Sequence, residues 1–144
     1  MKSFLRTHRT TLSRIILVSG ALIYLAFGTA FLLFPDIITT LDGIVLPDRP
    51  AANHVRAVYG GMEIGLGILL WYFCFARDGV KNGLIVLLCS IGMASLSRLF
   101  GIIFDQGGNM SNVLSFAAEF AFAASALILL VIEPRSGQRG GEAQ

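Results

Sequence analysis

The chain has few charged residues for its length. Asp, Glu, Lys and Arg make up 14% of the 144 residues, whereas 55% are hydrophobic and the mean hydropathy is +0.74. A soluble domain normally carries about 25% charged residues. The deficit predicts that lipid, rather than water, surrounds most of this single-domain chain. Because the basic residues are not gathered on one polar segment, we expect no nucleic-acid partner despite a pI near 8.8.

Cysteine and recognisable catalytic motifs are also scarce. Cys74 and Cys89 both lie in apolar runs, which argues against a disulfide framework or a metal site and favours two buried apolar thiols. The sequence lacks a Walker loop, a dinucleotide fingerprint, a His-Glu-x-x-His zinc motif, a CxxC pair and a nucleophile elbow. We therefore expect no cofactor and no metal, and the sequence assigns no catalytic residue.

What the chain does have is four apolar runs of the length that crosses a bilayer, about 20 residues each. These runs cover about residues 15–35, 54–76, 82–104 and 112–132. The first follows a basic leader, residues 1–14, and its 21 residues are too many for a signal-peptide core, so we expect it to stay uncleaved. The connection at 36–49 is predicted to lie at the interface or over the bundle mouth, and 133–144 to be a disordered polar tail.

The predicted fold class is all-α, an integral membrane antiparallel four-helix bundle with short connections. Its orientation follows from the basic residues, which concentrate on one side of the predicted membrane. That side holds Lys2, Arg6, Arg9, Arg14, Arg77, Lys81, Arg135 and Arg139. The opposite side has only Arg49 in a loop and Arg56 at a helix start. The positive-inside rule then predicts that both termini lie in the cytoplasm.

Three of the four spans carry a charged residue at one predicted depth. Glu63, Arg98 and Glu119 each lie about seven residues into a span from the side opposite the termini. At 1.5 Å per residue, all three lie roughly 10 Å below that surface. A charge near the bilayer centre costs about 2.5–3.5 kcal/mol, so it is kept where something uses or neutralises it. We predict that the three meet beside two small residues of the first span, Gly28 and Thr29.

A second charged layer is predicted at the rim. Arg56 stands at the start of its span and Asp105 at the end of its own, and the helix dipole disfavours each charge there. Mutual pairing would relieve both. Seven residues separate Arg56 from Glu63 and Arg98 from Asp105, a spacing that keeps the two layers on one helical face. Tyr59 shares that face.

Three acids and two arginines leave one carboxyl without a cation, and a desolvated carboxyl prefers its neutral form. We choose Glu119 as the least paired acid, because the fourth span has no basic residue of its own. The cluster is either a functional polar pocket, which we favour, or a structural salt-bridge network that holds the helices together. The predicted binding residues are Arg56, Tyr59, Glu63, Arg98, Asp105 and Glu119.

Smaller signals concern helix starts and packing. We predict Asn53 as the N-cap of the second span and Ser111 or Asn112 as that of the fourth. The Gly61-x-x-x-Gly65 spacing suits a dimer face, but close packing inside the bundle is the use we favour.

Residues 53–63, NHVRAVYGGME, resemble the second-span signature of a group of small bacterial membrane proteins, DUF4345, a domain of unknown function. The Arg98-x-x-Gly101 pattern and the Glu of the fourth span also look like that group, which is broadly similar to DoxX-like four-helix proteins. The resemblance covers most of 15–132. It implies a four-span inner-membrane protein and supplies no activity.

Three functions from different classes stay open. The first is a binding or transport-accessory module whose outward-facing pocket holds a small amphipathic molecule or a lipid. The second is a structural subunit of a membrane complex, with a homodimer or another membrane protein as the partner. The third is an enzyme that uses the unpaired carboxyl as a general acid or base. We rank them in that order because no nucleophile, metal set or cofactor site is evident in the sequence.

Overall fold

The computed structural model describes residues 2–41 and 43–132, and these residues are helical apart from short connections and contain no strand. The helices are α1 (Lys2–Leu33), α2 (Pro35–Leu41), α3 (Arg49–Val55), a π-helical segment (Arg56–Gly61), α4 (Met62–Phe75), α5 (Gly79–Phe104) and α6 (Met110–Val131). The predicted basic leader therefore continues into the first long helix. The predicted disordered tail, 133–144, lies outside the described residues.

Four stretches are long and apolar enough to cross a membrane, and they are Thr10–Leu33, Arg49–Phe75, Gly79–Phe104 and Met110–Val131. Large apolar side chains cover their outer surface; Phe27, Ile68 and Leu114, for example, are more than half exposed. Water would make so much exposed apolar surface costly, whereas lipid does not. The prediction of an all-helical chain with four membrane-length helices is confirmed, and this surface supports a multi-pass membrane protein.

Two helices start at caps that the sequence analysis did not choose. The side chain of Asp48 accepts a hydrogen bond from the backbone N–H of Ala51 at 2.8 Å, so α3 begins before Asn53, which lies inside the helix. Pro50 follows at the start of α3, where its fixed φ suits a first turn. The side chain of Asn109 caps α6 in the same way. The predicted caps Asn53 and Ser111 or Asn112 are therefore wrong by less than two turns.

The four long helices meet in one interior layer of apolar side chains with no exposed surface. Its members are Leu17 and Ala21 of α1, Leu70 of α4, Leu87 of α5 and Ala126 of α6. The most extensive packing joins α1 to α4 and α5 to α6, and α4 also packs against α5. In lipid such packing is held by dispersion contacts, because hydrocarbon outside the bundle is as apolar as the interior. The fold can therefore be described as two tight helix pairs that share a core.

Glycine brings the α1 and α4 backbones together. A Cβ atom at Gly28 would lie 2.8 Å from the backbone nitrogen of Ile64 and 2.9 Å from the carbonyl oxygen of Gly60. A Cβ at Gly60 would lie 3.0 Å from the backbone nitrogen of Leu32. Any larger residue at these positions would require the backbones to separate. The predicted use of glycine for close helix packing thus applies to Gly28 and Gly60.

Other small residues do not pack where we expected. A Cβ at Gly65 would meet nothing within 4 Å, and one at Gly61 would meet only the carbonyl oxygen of Arg56 at 3.9 Å. Both glycines are exposed, so the expectation that they pack inside the bundle is wrong. Cys74 is buried as expected, but Cys89 is exposed on the outer surface. Hydropathy alone cannot separate the two faces of a helix that is apolar all round.

These contacts predict opposite effects for two glycine substitutions. Gly28→Ala should lower the free energy of unfolding in detergent by about 1–3 kcal/mol, because the new methyl group meets backbone atoms that cannot rotate away. Gly65→Ala is the matched control and should be neutral or slightly stabilising, because alanine favours the helix and meets nothing. Thermal or denaturant unfolding of both variants measures the difference. Equal effects would contradict the close α1–α4 approach.

Candidate functional site

A bidentate ion pair joins α5 to α6. The Nε of Arg98 donates to Oε2 of Glu119 at 3.1 Å, and Nη2 donates to Oε1 at 2.8 Å. The remaining Nη1 donates to Oδ1 of Asn112 at 2.9 Å, and the Asn112 amide donates to the carbonyl oxygen of Gly107 at 2.8 Å. This fork geometry is the strongest form of the arginine–carboxylate interaction. It fixes α6 and the preceding turn relative to α5.

The pair corrects the choice of Glu119 as the least paired acid. We chose Glu119 because its own span has no basic residue, whereas its cation, Arg98, lies on the neighbouring helix α5. The short turn between Phe104 and Met110 joins α5 to α6, so residues at similar distances from the turn face each other across the pair. Arg98 lies six residues before the end of α5 and Glu119 nine residues after the start of α6, a difference that the long arginine side chain spans. Of the predicted meeting of Glu63, Arg98 and Glu119, the structure has the contact between Arg98 and Glu119, whereas Glu63 forms no ion pair with Arg98.

Arg56 has a different partner from the one predicted. Its Nε donates to the carbonyl oxygen of Leu32 at 3.1 Å. Leu32 lies in the last turn of α1, where carbonyl groups lack a partner within the helix and a cation is favourable. Arg56 and Asp105 are both described, and they form no ion pair with each other, so that prediction is wrong. Because α3 begins at Arg49, Arg56 lies well inside its helical stretch, and the dipole argument for the pairing does not hold.

Asp105 and Tyr59 also lie apart from the ion pair. Asp105 follows α5 and is exposed. The ring of Tyr59 is 49% exposed and packs against Phe31 of α1, with 5.4 Å between the ring centroids. The π-helical segment explains why the predicted common face is not kept. A π-helix has more residues per turn than an α-helix, so seven residues from Arg56 to Glu63 no longer return to the same side.

Glu63 is an acid that forms no ion pair among the described residues. It lies in the first turn of α4, and its Oε2 atom is buried without a hydrogen-bond partner among the described residues. Burying an unsatisfied polar atom costs about 1–3 kcal/mol, and more when the group is charged. Of the two predicted acids that lack a cation, Asp105 is exposed to the surroundings, whereas Glu63 has a buried oxygen. The neighbouring acid, Glu119, is already neutralised by Arg98.

The hydroxyl groups of Tyr24, Ser90 and Ser95 were not among the predicted site groups. Ser95 of α5 is 2% exposed, and its Oγ has no hydrogen-bond partner among the described residues. Tyr24 of α1 lies near Ser90 of α5 and within electrostatic range of Glu63. Single hydroxyls are ordinary in apolar helices, so only the charged neighbours would have singled them out. We call Tyr24, Glu63, Ser90 and Ser95 the interior polar cluster.

Packing contacts place Glu63 and Ser95 at similar distances along their helices from one level of the bundle. A Cβ at Gly20 of α1 would touch Leu70 of α4 and Leu87 of α5, so these three residues define one level. Glu63 lies seven residues from Leu70 and Ser95 eight residues from Leu87. At 1.5 Å per residue, they lie about 10 Å and about 12 Å from that level. The interior polar cluster therefore spans α1, α4 and α5.

The chemistry available to the cluster is hydrogen bonding and charge. Among residues 2–41 and 43–132, no group of three or more His, Cys, Asp and Glu side chains lies close enough together to hold a metal ion. The cluster offers one carboxylate and three hydroxyls, all able to accept hydrogen bonds. It can hold a small polar group against an otherwise apolar interior.

The ion pair is testable by a double-mutant cycle. Arg98→Gln and Glu119→Gln should each destabilise the protein, and the double variant should be less destabilised than the sum by about 1–2 kcal/mol, because the second change removes a charge already stripped of its partner. Unfolding in detergent provides the energies. As a control, Arg98→Gln combined with Asp36→Asn should be additive, since Asp36 lies on α2, which packs on α1 and α3. Additivity of the first pair would contradict the contact.

Comparison with known proteins gives one match. The family described as a domain of unknown function, DUF4345, matches residues 12–130, which include all four membrane-length helices except a few terminal residues. No curated protein and no solved structure matches the chain. The match covers well over half of the sequence and contains the ion pair and the interior polar cluster. The chain belongs to the DUF4345 family.

Proposed function

We propose that the protein is a multi-pass protein of a bacterial inner membrane that binds a small amphipathic molecule or lipid within its helix bundle. The observation that carries the proposal is the pair of buried oxygens without partners, Glu63 Oε2 and Ser95 Oγ. Each such atom costs free energy unless a group hydrogen-bonds to it. A ligand that donates hydrogen bonds there would remove the cost. The proposed binding site is the interior polar cluster.

The proposal includes an antiparallel arrangement of the four long helices. The register of the contacts supports it. Gly28 of α1 packs on Ile64 of α4, whereas the earlier residue Ala21 packs on the later residue Gly67. Gly83 of α5 packs on Leu17 of α1, and Leu87 packs on Gly20, so residue numbers rise together in α1 and α5. The short connection between α5 and α6 then returns α6 in the direction of α4.

The proposed orientation places both termini in the cytoplasm, because most basic residues flank the helices on that side. The interior polar cluster then lies in the outer half of the bilayer, on the side where α1 and α5 end. A ligand would reach it from outside or from the outer leaflet. This geometry favours a binding or transport-accessory role over cytoplasmic chemistry.

The cluster's surroundings define the kind of ligand. The layer next to it is made of fully buried apolar side chains, among them Leu70 and Leu87. Binding sites for small molecules typically combine such apolar walls with a few placed polar groups. A molecule with one polar end and one apolar end matches both parts. This is why we propose an amphipathic ligand rather than a fully polar solute.

A structural subunit is the second candidate, and a specific observation favours it. The network of Arg98, Glu119 and Asn112 is complete without a ligand, as expected for a brace between α5 and α6. The exposed stripe of Gly61 and Gly65 would also let a neighbouring helix approach closely. Neither feature accounts for Glu63 and Ser95, so the binding module ranks first. The enzyme ranks third, because no described group is arranged as an activated nucleophile.

The orientation predicts the outcome of reporter fusions. A reporter fused after Gln144 should be active only when it works in the cytoplasm, and one inserted near Pro47 only when it works outside. The physical reason is the excess of basic residues beside the termini. Alkaline phosphatase and green fluorescent protein fusions form a matched pair for both sites. The reverse activities would place the interior polar cluster in the inner half of the bilayer.

Ligand retention separates a binding site from a brace. Native mass spectrometry of the protein purified in mild detergent should show an added small-molecule mass, and Ser95→Ala should reduce its occupancy severalfold by removing one hydrogen bond. Ser97→Ala is the matched control, because Ser97 is exposed on the same helix. In a simple brace, by contrast, Ser95→Ala would only relieve an unsatisfied hydroxyl, so the variant would be at least as stable and both forms would carry no added mass.

A further inference from the structure

Glu63 forms no ion pair with a basic side chain among the described residues. Arg98 and Glu119 neutralise each other through a bidentate contact. Arg56 is engaged at the end of α1 by the carbonyl oxygen of Leu32. Glu63 is the remaining acid on a membrane-length helix, and its Oε2 is buried without a partner among the described residues. A carboxylate buried in this way requires a compensating positive charge or a proton.

The polar groups of the interior polar cluster can all accept hydrogen bonds. The Glu63 carboxylate can only accept when it is ionised, and the oxygens of Ser95 and Tyr24 can each accept as well. An ammonium group carries three N–H donors and no acceptor, so it can donate to such oxygens and supplies the positive charge that Glu63 lacks as a partner. We infer that the interior polar cluster binds the ammonium group of an amphipathic amine, with Glu63 as its counter-charge. This inference rests on the proposed binding function and narrows its ligand class.

Other headgroups fit less well. A phosphate or carboxylate would place a second negative charge beside Glu63, and the guanidinium that could attract it already binds Glu119 and Asn112. A neutral hydroxyl can fill the hydrogen bonds but leaves the charge of Glu63 without compensation. An inorganic cation would find one carboxylate and few other strong ligands, since no cluster of three His, Cys, Asp and Glu side chains occurs among residues 2–41 and 43–132. The amine supplies both the positive charge and the hydrogen-bond donors.

The apolar part of the ligand follows from the position of Glu63. Glu63 and Ser95 lie about 10–12 Å along the helices from the fully buried apolar layer of Leu70 and Leu87, within segments long enough to cross a bilayer. Hydrocarbon from side chains or lipid therefore surrounds the polar groups. A chain attached to the ammonium group would remain in hydrocarbon while the group itself reaches Glu63. A fully hydrophilic amine would have to leave water without that benefit.

The test compares three probes with the same tail. Decylamine, decanol and decanoate are equilibrated at pH 7 with the full chain in lipid nanodiscs, and bound probe is measured against empty nanodiscs. Decylamine should bind at least about tenfold more tightly than decanol, because a charge-assisted hydrogen bond replaces neutral ones, and decanoate should bind most weakly. In Glu63→Gln the preference for the amine should disappear. Asp36→Asn, which removes an exposed carboxyl on α2, should retain it.

The possible outcomes distinguish a failure of the amine assignment from a failure of the proposed binding function. Equal binding of decylamine and decanol to the wild type would overturn the amine assignment and leave an amphiphile site in place. Binding of none of the three above empty nanodiscs would overturn the binding function as well. An amine preference that survives in Glu63→Gln would exclude Glu63 as the counter-charge. Should Glu63→Gln fail to fold, Glu63→Asp keeps the charge and should keep the preference, and the wild-type comparison decides by itself.

Discussion

A charge or an unsatisfied hydrogen-bonding group inside hydrocarbon must find a partner from the protein itself, and this requirement governs the arrangement of the chain. Arg98 satisfies this requirement by binding Glu119 and Asn112, and these contacts fix the position of α6 against α5. Arg56 meets it with a carbonyl oxygen that the end of α1 leaves unpaired. In both cases the partner lies on another helix. The polar residues therefore specify which helices meet, while the apolar residues specify only that they are in lipid.

The two tight helix pairs are built by different means, and the interior polar cluster lies where they join. Glycine lets α1 and α4 approach until backbone touches backbone, as at Gly28 and Gly60. The ion pair between Arg98 and Glu119 holds α5 to α6. Between the pairs, α1 and α4 contribute Tyr24 and Glu63, and α5 contributes the two serines. A boundary between two rigid units is a common position for a ligand site, because a small shift there opens space without disrupting either unit.

Length and hydropathy were enough to predict four membrane-length helices, because each run had to be about 20 residues long. Depth along the helices also predicted that Arg98 and Glu119 would meet. The partner of Arg56 could not be predicted by pairing charges with charges, since it is a backbone carbonyl. The π-helical segment shifted the face of Tyr59, and no sequence signal had placed it there. Ser95 and Tyr24 were missed because a lone hydroxyl in an apolar helix is common.

The remaining question is why Glu63 is an acid at all. The brace between α5 and α6 is complete without it, since the Glu119 carboxylate occupies the fork of Arg98 and Asn112 takes a further donor. A glutamine at position 63 would have nearly the same shape and would not carry a charge into the bilayer. Ser95 repeats the pattern, because alanine would fill its place without leaving a hydroxyl unsatisfied. Stability alone would favour both replacements, and the ligand proposed above would give the polar atoms at these two positions a binding partner.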